Sequence, residues 1–205
     1  MDSKKEYRTL PLTELRAEEN DGRKIICGHA AVFDSWSETL GGFFPFKEKV
    51  RAGAFQRSIE KDDIRALFNH DANHVLGRNR AGTLELGEDE KGLFVRIMPP
   101  DTQWARDLQI SIARGDISQM SFGFTVDKDE WSTAEGIDTR ELLEVRLFDV
   151  SPVTFPAYAQ TDVGIRAHEQ YKAEVRQRAE NESEAARKAK ERLKQQNLLT
   201  KFKIM

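Results

Sequence analysis

Gly115-Asp116-Ile117-Ser118-Gln119-Met120-Ser121-Phe122-Gly123-Phe124 is the stretch on which the reading of this chain turns. From Met120 to Val126 it alternates, which predicts a strand. Phe122, Phe124 and Val126 share one face and can enter a core. Ser121, Gly123 and Thr125 share the other. Gly123 leaves that second face bare beside the Ser121 hydroxyl, which gives an extended substrate room to approach. Ser121 is thereby a candidate nucleophile, on condition that the chain supplies a base and an acid. Ser118 has the other parity and is expected in the turn after Gly115, where it shapes the turn.

Working outward, the segment on either side reads as strands with a few short helices. Lys24–Phe33 is expected to be a strand, with Gly41-Gly42 and Pro45 marking a loop after it. Ala54–Ile59 predicts a short helix, and Ile64–His70 alternates as a strand. Thr83–Leu86 and Leu93–Met98 flank a polar loop and read as a hairpin. Asp101 is a candidate N-cap and Gly115 a candidate stop for a helix that carries Trp104, Leu108 and Ile112 on its packing face. Leu142–Val150 is another strand, and Pro152 and Pro156 are expected to end regular structure. The fold class is mainly β with α, a barrel or sandwich carrying helices.

Composition supports this picture. Hydrophobic residues make up 39% of 205 residues, including twelve Phe, enough for a core. The net charge of −3 conceals an asymmetry. From Arg166 onward there are eleven Lys/Arg and six Asp/Glu, a net of +5, so residues 1–165 carry −8. Residues 1–160 read as one domain and 161–205 as a basic tail rich in helix formers but poor in large apolar residues. Such a tail is either a solvated helix or an arm that docks on a partner. A single Cys27 excludes an internal disulfide and suits a reducing cytoplasm. No stretch reaches transmembrane length, and no signal-peptide core is seen.

Two further polar residues stand where apolar ones are expected. His70 completes a face begun by Ile64, Ala66 and Phe68. Asp149 completes one made by Leu143, Val145 and Leu147. A carboxylate there is costly unless paired, and a histidine is its natural partner. Ser121, His70 and Asp149 together offer a nucleophile, a general base and an orienting acid. Glu144 and Glu141 are alternative acids, although Glu144 falls on the opposite face from Val145 and Leu147. The competing chemistry is a metal site on His70 and His74, four residues apart. It is disfavoured because Asp71-Ala72-Asn73 reads as a turn and no Glu lies between the histidines. No cofactor motif is seen. His29 reads as a structural strand residue, and His168 lies in the tail.

At these residues the chain resembles the prohead maturation proteases of tailed bacteriophages. The blocks that carry the resemblance occur in order. They are Gly28–Phe33, Val50–Phe55, Leu67-Phe68-Asn69-His70-Asp71, Leu76-Gly77-Arg78 with Gly82-Thr83-Leu84, Gly115–Phe124, and Phe148–Tyr158. The resemblance implies a fold like that of herpesvirus assembly proteases, an antiparallel β-barrel surrounded by helices. It implies a serine endopeptidase with Ser121 as nucleophile, His70 as base and Asp149 as third member, where many relatives carry Glu. It also implies an enzyme held inside the immature procapsid in the host cytoplasm. There it would cut scaffold or the scaffold arm of the major capsid protein, and itself, with dimerisation known among herpesvirus-like relatives. Arg146 and Arg166 are unplaced candidates for oxyanion stabilisation. The alternative is an inactive assembly or scaffold protein of the same fold. Nucleic acid is a weaker partner for the tail, whose charge is modest and lacks an aromatic ladder.

Overall fold

The computed structural model describes residues 5–9, 15–20, 23–41, 45–134, 136–155 and 162–202. The chain divides into two compact units, Met1–Ile165 and Arg166–Met205. The first is mainly β with few helices. In chain order its elements are β1 (Glu6–Arg8), β2 (Leu15–Asn20), β3 (Arg23–Val32), β4 (Phe46–Val50), α1 (Gln56–Lys61), β5 (Arg65–Phe68) and β6 (Asp71–Arg78). There follow β7 (Leu84–Glu88), β8 (Gly92–Ile97), α2 (Gln103–Arg114), β9 (Gln119–Ala134) and β10 (Ile137–Val153).

Ten strands form two sheets among the described residues. One runs β1-β9-β10-β5-β6, with β4 also paired to β10; the other runs β2-β3-β8-β7. The second sheet is antiparallel throughout, and β7–β8 is the hairpin that the sequence predicts. The first is mixed, a correction to the purely antiparallel barrel. β10 is antiparallel to β9 but parallel to β4 over Asp138–Leu142 and to β5 at Asp149–Val150. Parallel neighbours need long crossovers, and the separations of 92 residues from Phe46 to Asp138 and 84 from Arg65 to Asp149 supply them. At 17 residues, β10 is long enough to receive both.

The core lies between the sheets and takes side chains from each. Phe122 and Phe124 of β9 are fully buried, and so are Ile26, Leu93 and Ile97 of the second sheet. Phe55 meets Phe122 edge-on at 5.4 Å, a favoured aromatic geometry. Leu108 and Ile112 on α2 join this cluster and Trp104 packs at its margin, so the helical spacing of these three is used as expected. Gly115 ends α2 at φ +83, and its N–H reaches the Ile112 carbonyl at 3.0 Å. Thr102, not Asp101, occupies the N-cap, and the Asp101 carboxylate is drawn instead to Arg106. Pro152 does not end β10; it lies within it, opposite Met120. Gly42 and Pro156 lie outside the described residues.

α3 (Asp162–Phe202) is a single long helix, and all of it from Arg166 onward belongs to the second unit. Its exposed face carries pairs such as Lys188–Glu184 at 2.7 Å, one turn apart. No helix among the described residues is long and apolar enough to cross a membrane.

Candidate active site

Alternation along β9 commits Phe122 and Phe124 to the core and so turns Ser121 and Gly123 onto the opposite face. On β10, Ser151 lies opposite Ser121 and Asp149 opposite Gly123. Asp149 reaches this face through a break in parity. Leu147 is paired to Phe124 on the core face, and the register then shifts between Leu147 and Asp149. The extra residue, Phe148, is a β-bulge, which re-aims the next side chain. Asp149 is therefore not the end of the apolar face of Val145 and Leu147, as simple alternation predicts. It is on the serine's face because the bulge puts it there.

His70 also arrives by a different route from the expected one. The strand stops at Phe68, which pairs with Asp71, and Asn69 and His70 form the two-residue tip of the β5–β6 hairpin. Both have left-handed backbones, φ +52 and φ +59. This is the pattern of a type I′ hairpin turn. Asn and His are both among the non-glycine residues that adopt this region most often. Asn69 pins the turn to the end of β10. Its N–H reaches the Pro152 carbonyl at 3.0 Å, its side-chain oxygen accepts the Thr154 N–H at 2.8 Å, and its Nδ2 donates to Thr154 Oγ1 at 3.2 Å.

These elements bring the three predicted residues together. His70 Nδ1 lies 2.5 Å from Asp149 Oδ1, and His70 Nε2 lies 2.7 Å from Ser121 Oγ. With Nδ1–H donated to the carboxylate, Nε2 is free to accept the serine proton. Ser121 is fully buried and Asp149 is 1% exposed. The Tyr7 ring lies against the imidazole, with centroids 4.2 Å apart. Asp149 has two more donors, Lys5 Nζ at 2.6 Å and Ser151 Oγ at 3.1 Å. Burial works against its charge, but the hydrogen bond and charge of His70, joined by Lys5, prevail and hold its carboxyl below the usual range.

Gly123 does not leave an open face. A Cβ there would lie 2.5 Å from Asp149 Oδ2, 2.8 Å from Lys5 Cε and 2.9 Å from Tyr7 Cε1. The missing side chain makes room for the acid and for β1. Lys5, Tyr7 and Ser151 are contributors that sequence reasoning missed. Ser151 is marked by parity with Ser121 once the strands are paired. Lys5 and Tyr7 carry no sequence signal, because their partners lie more than sixty residues away.

The remaining candidates lie elsewhere. Glu144 pairs with Arg57 at 2.6 Å, and Glu141 with Lys49 at 3.0 Å. Ser118 is exposed in the link between α2 and β9. His74 Nδ1 faces Asp71 at 2.8 Å, while both ring nitrogens of His70 are engaged by Ser121 and Asp149. His29 meets Asp89 at 2.9 Å. Arg146 faces Asp62 at 3.5 Å and the Phe148 ring, and the Arg166 side chain lies outside the described residues.

The chain is 29% identical over 157 residues to the prohead protease of Enterobacteria phage HK97. That match covers 74% of this chain and 64% of the relative, so the chain spans less than two thirds of the relative's length. No solved structure matches. A model of the caudovirus prohead serine protease family matches residues 12–175, and the chain belongs to that family.

Proposed function

We propose that this chain is the serine endopeptidase of procapsid maturation, acting on scaffold or on the scaffold arm of the major capsid protein inside the immature shell. The observation that carries the reading is the unbroken relay from Ser121 Oγ through His70 to Asp149, at 2.7 and 2.5 Å. Family membership supports the chemistry, and the substrate follows from the setting that the family's name describes.

Ser121 is the nucleophile, and His70 takes its proton as Oγ attacks the scissile carbonyl. Asp149 holds the imidazole with Nε2 toward the serine and stabilises the imidazolium that forms. His70 then gives the proton to the departing amine. Water, activated by the same imidazole, hydrolyses the acyl-enzyme. His70 and Lys5 keep Asp149 ionised, and Ser151 helps to orient it. The fold is related to that of herpesvirus assembly proteases, and α3 is an arm that docks the enzyme on scaffold.

Co-expression with the capsid and scaffold proteins tests this. The full chain cuts one of them, and Ser121→Ala lowers that cleavage on the order of 10⁴-fold or more. Cleavage that persists unchanged in Ser121→Ala overturns the assignment. An inactive assembly protein would leave both substrates intact while still entering the shell.

A further inference from the structure

β1 lies along the edge of the strand that carries the nucleophile. It runs antiparallel to β9, with Glu6 opposite Phe124, Tyr7 opposite Gly123 and Arg8 opposite Phe122. Thr9 therefore comes level with Ser121. The Ser121 hydroxyl lies 2.9 Å from the Arg8 carbonyl oxygen, close enough to donate to it. An extended peptide paired to an exposed strand edge, with one carbonyl at the nucleophile, is how a substrate is held by β-augmentation.

The side chains of this segment fit the same description. Arg8 is 4% exposed, and its fork spans Glu48, Nε to Oε1 at 2.8 Å and Nη2 to Oε2 at 3.3 Å. The guanidinium also lies over the Phe124 ring at 5.6 Å. Glu48 is itself 2% exposed, and its other cation is Arg140 at 3.0 Å. With β1 withdrawn, Glu48 would keep Arg140 and lose a bidentate partner, leaving a cleft matched to a planar cation. Two residues earlier, Glu6 accepts from Arg8 Nη2 at 2.6 Å and also meets Arg140 at 3.4 Å. Buried charges of this kind stabilise poorly but select strongly, because a wrong partner leaves one of them unpaired.

Resting on the serine-protease reading above, we infer that Lys5–Thr9 occupies the protease's own substrate groove, that Glu48 selects an arginine or lysine at the carbonyl that is attacked, and that Arg8–Thr9 is a self-cleavage bond. The substrates of this class are extended peptides with a basic residue before the cut and an acidic one two residues earlier. One proton decides between rest and attack. The single Ser121 hydroxyl proton can point at the Arg8 oxygen or at Nε2, and only the second arrangement leads to attack. Neutral His70 then takes the serine proton, and Oγ bonds to the Arg8 carbonyl carbon. The bond to the Thr9 nitrogen then breaks, with His70 returning the proton to that nitrogen. Water cleaves the ester to give the Arg8 carboxylate and restores the Ser121 hydroxyl, with no change of oxidation state.

The test follows the intact mass of the purified full chain over time, with Arg8→Lys and Arg8→Leu chains beside it. In parallel, wild-type chain is given the synthetic peptide Lys-Lys-Glu-Tyr-Arg-Thr-Leu-Pro and its Lys and Leu versions at the arginine, which need no change to the protein. A fluorophosphonate reports separately on the reactivity of Ser121. The expected result is a product that begins at Thr9 in the wild-type and Arg8→Lys chains but not in Arg8→Leu. Arg and Lys peptides are cut with kcat/KM on the order of 100-fold above the Leu peptide. A labelled Ser121 with an intact Arg8–Thr9 bond, or Leu cut as fast as Arg, overturns this inference and leaves the protease reading standing. An unlabelled Ser121 with every peptide intact overturns both.

Discussion

Gly123 is the residue on which the relay is most tightly fitted. Any Cβ at this position meets the Asp149 carboxylate and the β1 side chains inside contact distance. Gly123→Ala is expected to leave the fold in place and lower kcat/KM on the order of 100-fold, the cost of a small displacement of a catalytic group. Circular dichroism with steady-state kinetics checks both halves. The acid has its own test. Asp149→Asn removes the partner of Nδ1–H and should reduce kcat on the order of 10⁴-fold. Glu144→Gln breaks only an exposed pair with Arg57 and should leave kcat within about twofold. A larger loss in Glu144→Gln would reverse the choice of acid. Asp149 also gives a pH signature. Its carboxyl titrates below the ordinary value of 3.8, so the folded state favours the ionised form. The stability this adds is complete above 3.8 and is lost as pH falls through the lower folded value. Urea unfolding at stepped pH should show a shallower acid slope for Asp149→Asn than for wild type.

At the scale of elements, the β5–β6 turn sets the histidine and the Phe148 bulge sets the acid. Asn69 ties that turn to Pro152 and Thr154 while tolerating a left-handed backbone. Asn69→Ala should lower kcat about tenfold, ~1.4 kcal/mol of positioning, with KM nearly unchanged. Asn69→Gly should keep the turn and lose only the side-chain tether. Nuclear magnetic resonance of the His70 ring would report the loosening directly. These two elements also mark the limit of what the sequence discloses. The alternation of Phe122 and Phe124 made β9 and the orientation of Ser121 legible, because burial follows a period of two wherever a strand is regular. The same rule extended Ile64–Phe68 through His70 and carried Asp149 onto the face of Val145 and Leu147. Both steps reached, by the wrong path, residues that the structure brings together. A turn and a bulge break the period, and neither leaves a compositional mark in Asn69-His70 or Phe148. Tyr7, Lys5 and Arg8 were invisible for another reason: their meaning depends on partners brought close only by the sheet.

For the whole molecule, the charges beneath β1 couple stability to the site. Glu6, Arg8, Glu48 and Arg140 are all at most 4% exposed and neutralise one another. Burial lowers and Glu48 and Glu6 raise the Arg140 proton affinity, which ends above its ordinary value. Arg140→Leu leaves Glu6 and Glu48 with Arg8 as the buried cation between them and should cost about 3–5 kcal/mol, measurable by urea denaturation. Pairing across long separations has a further consequence, in time. β10 pairs with β9, β4 and β5, and Ser121, His70 and Asp149 meet only once β10 is in place. Non-local pairings of this kind form slowly. A ribosome-bound chain that has not yet released β10 has a serine and a histidine but no oriented acid. On the protease reading, synthesis itself thus delays the onset of proteolysis, and refolding from denaturant should regain activity only in step with the slowest sheet-forming phase.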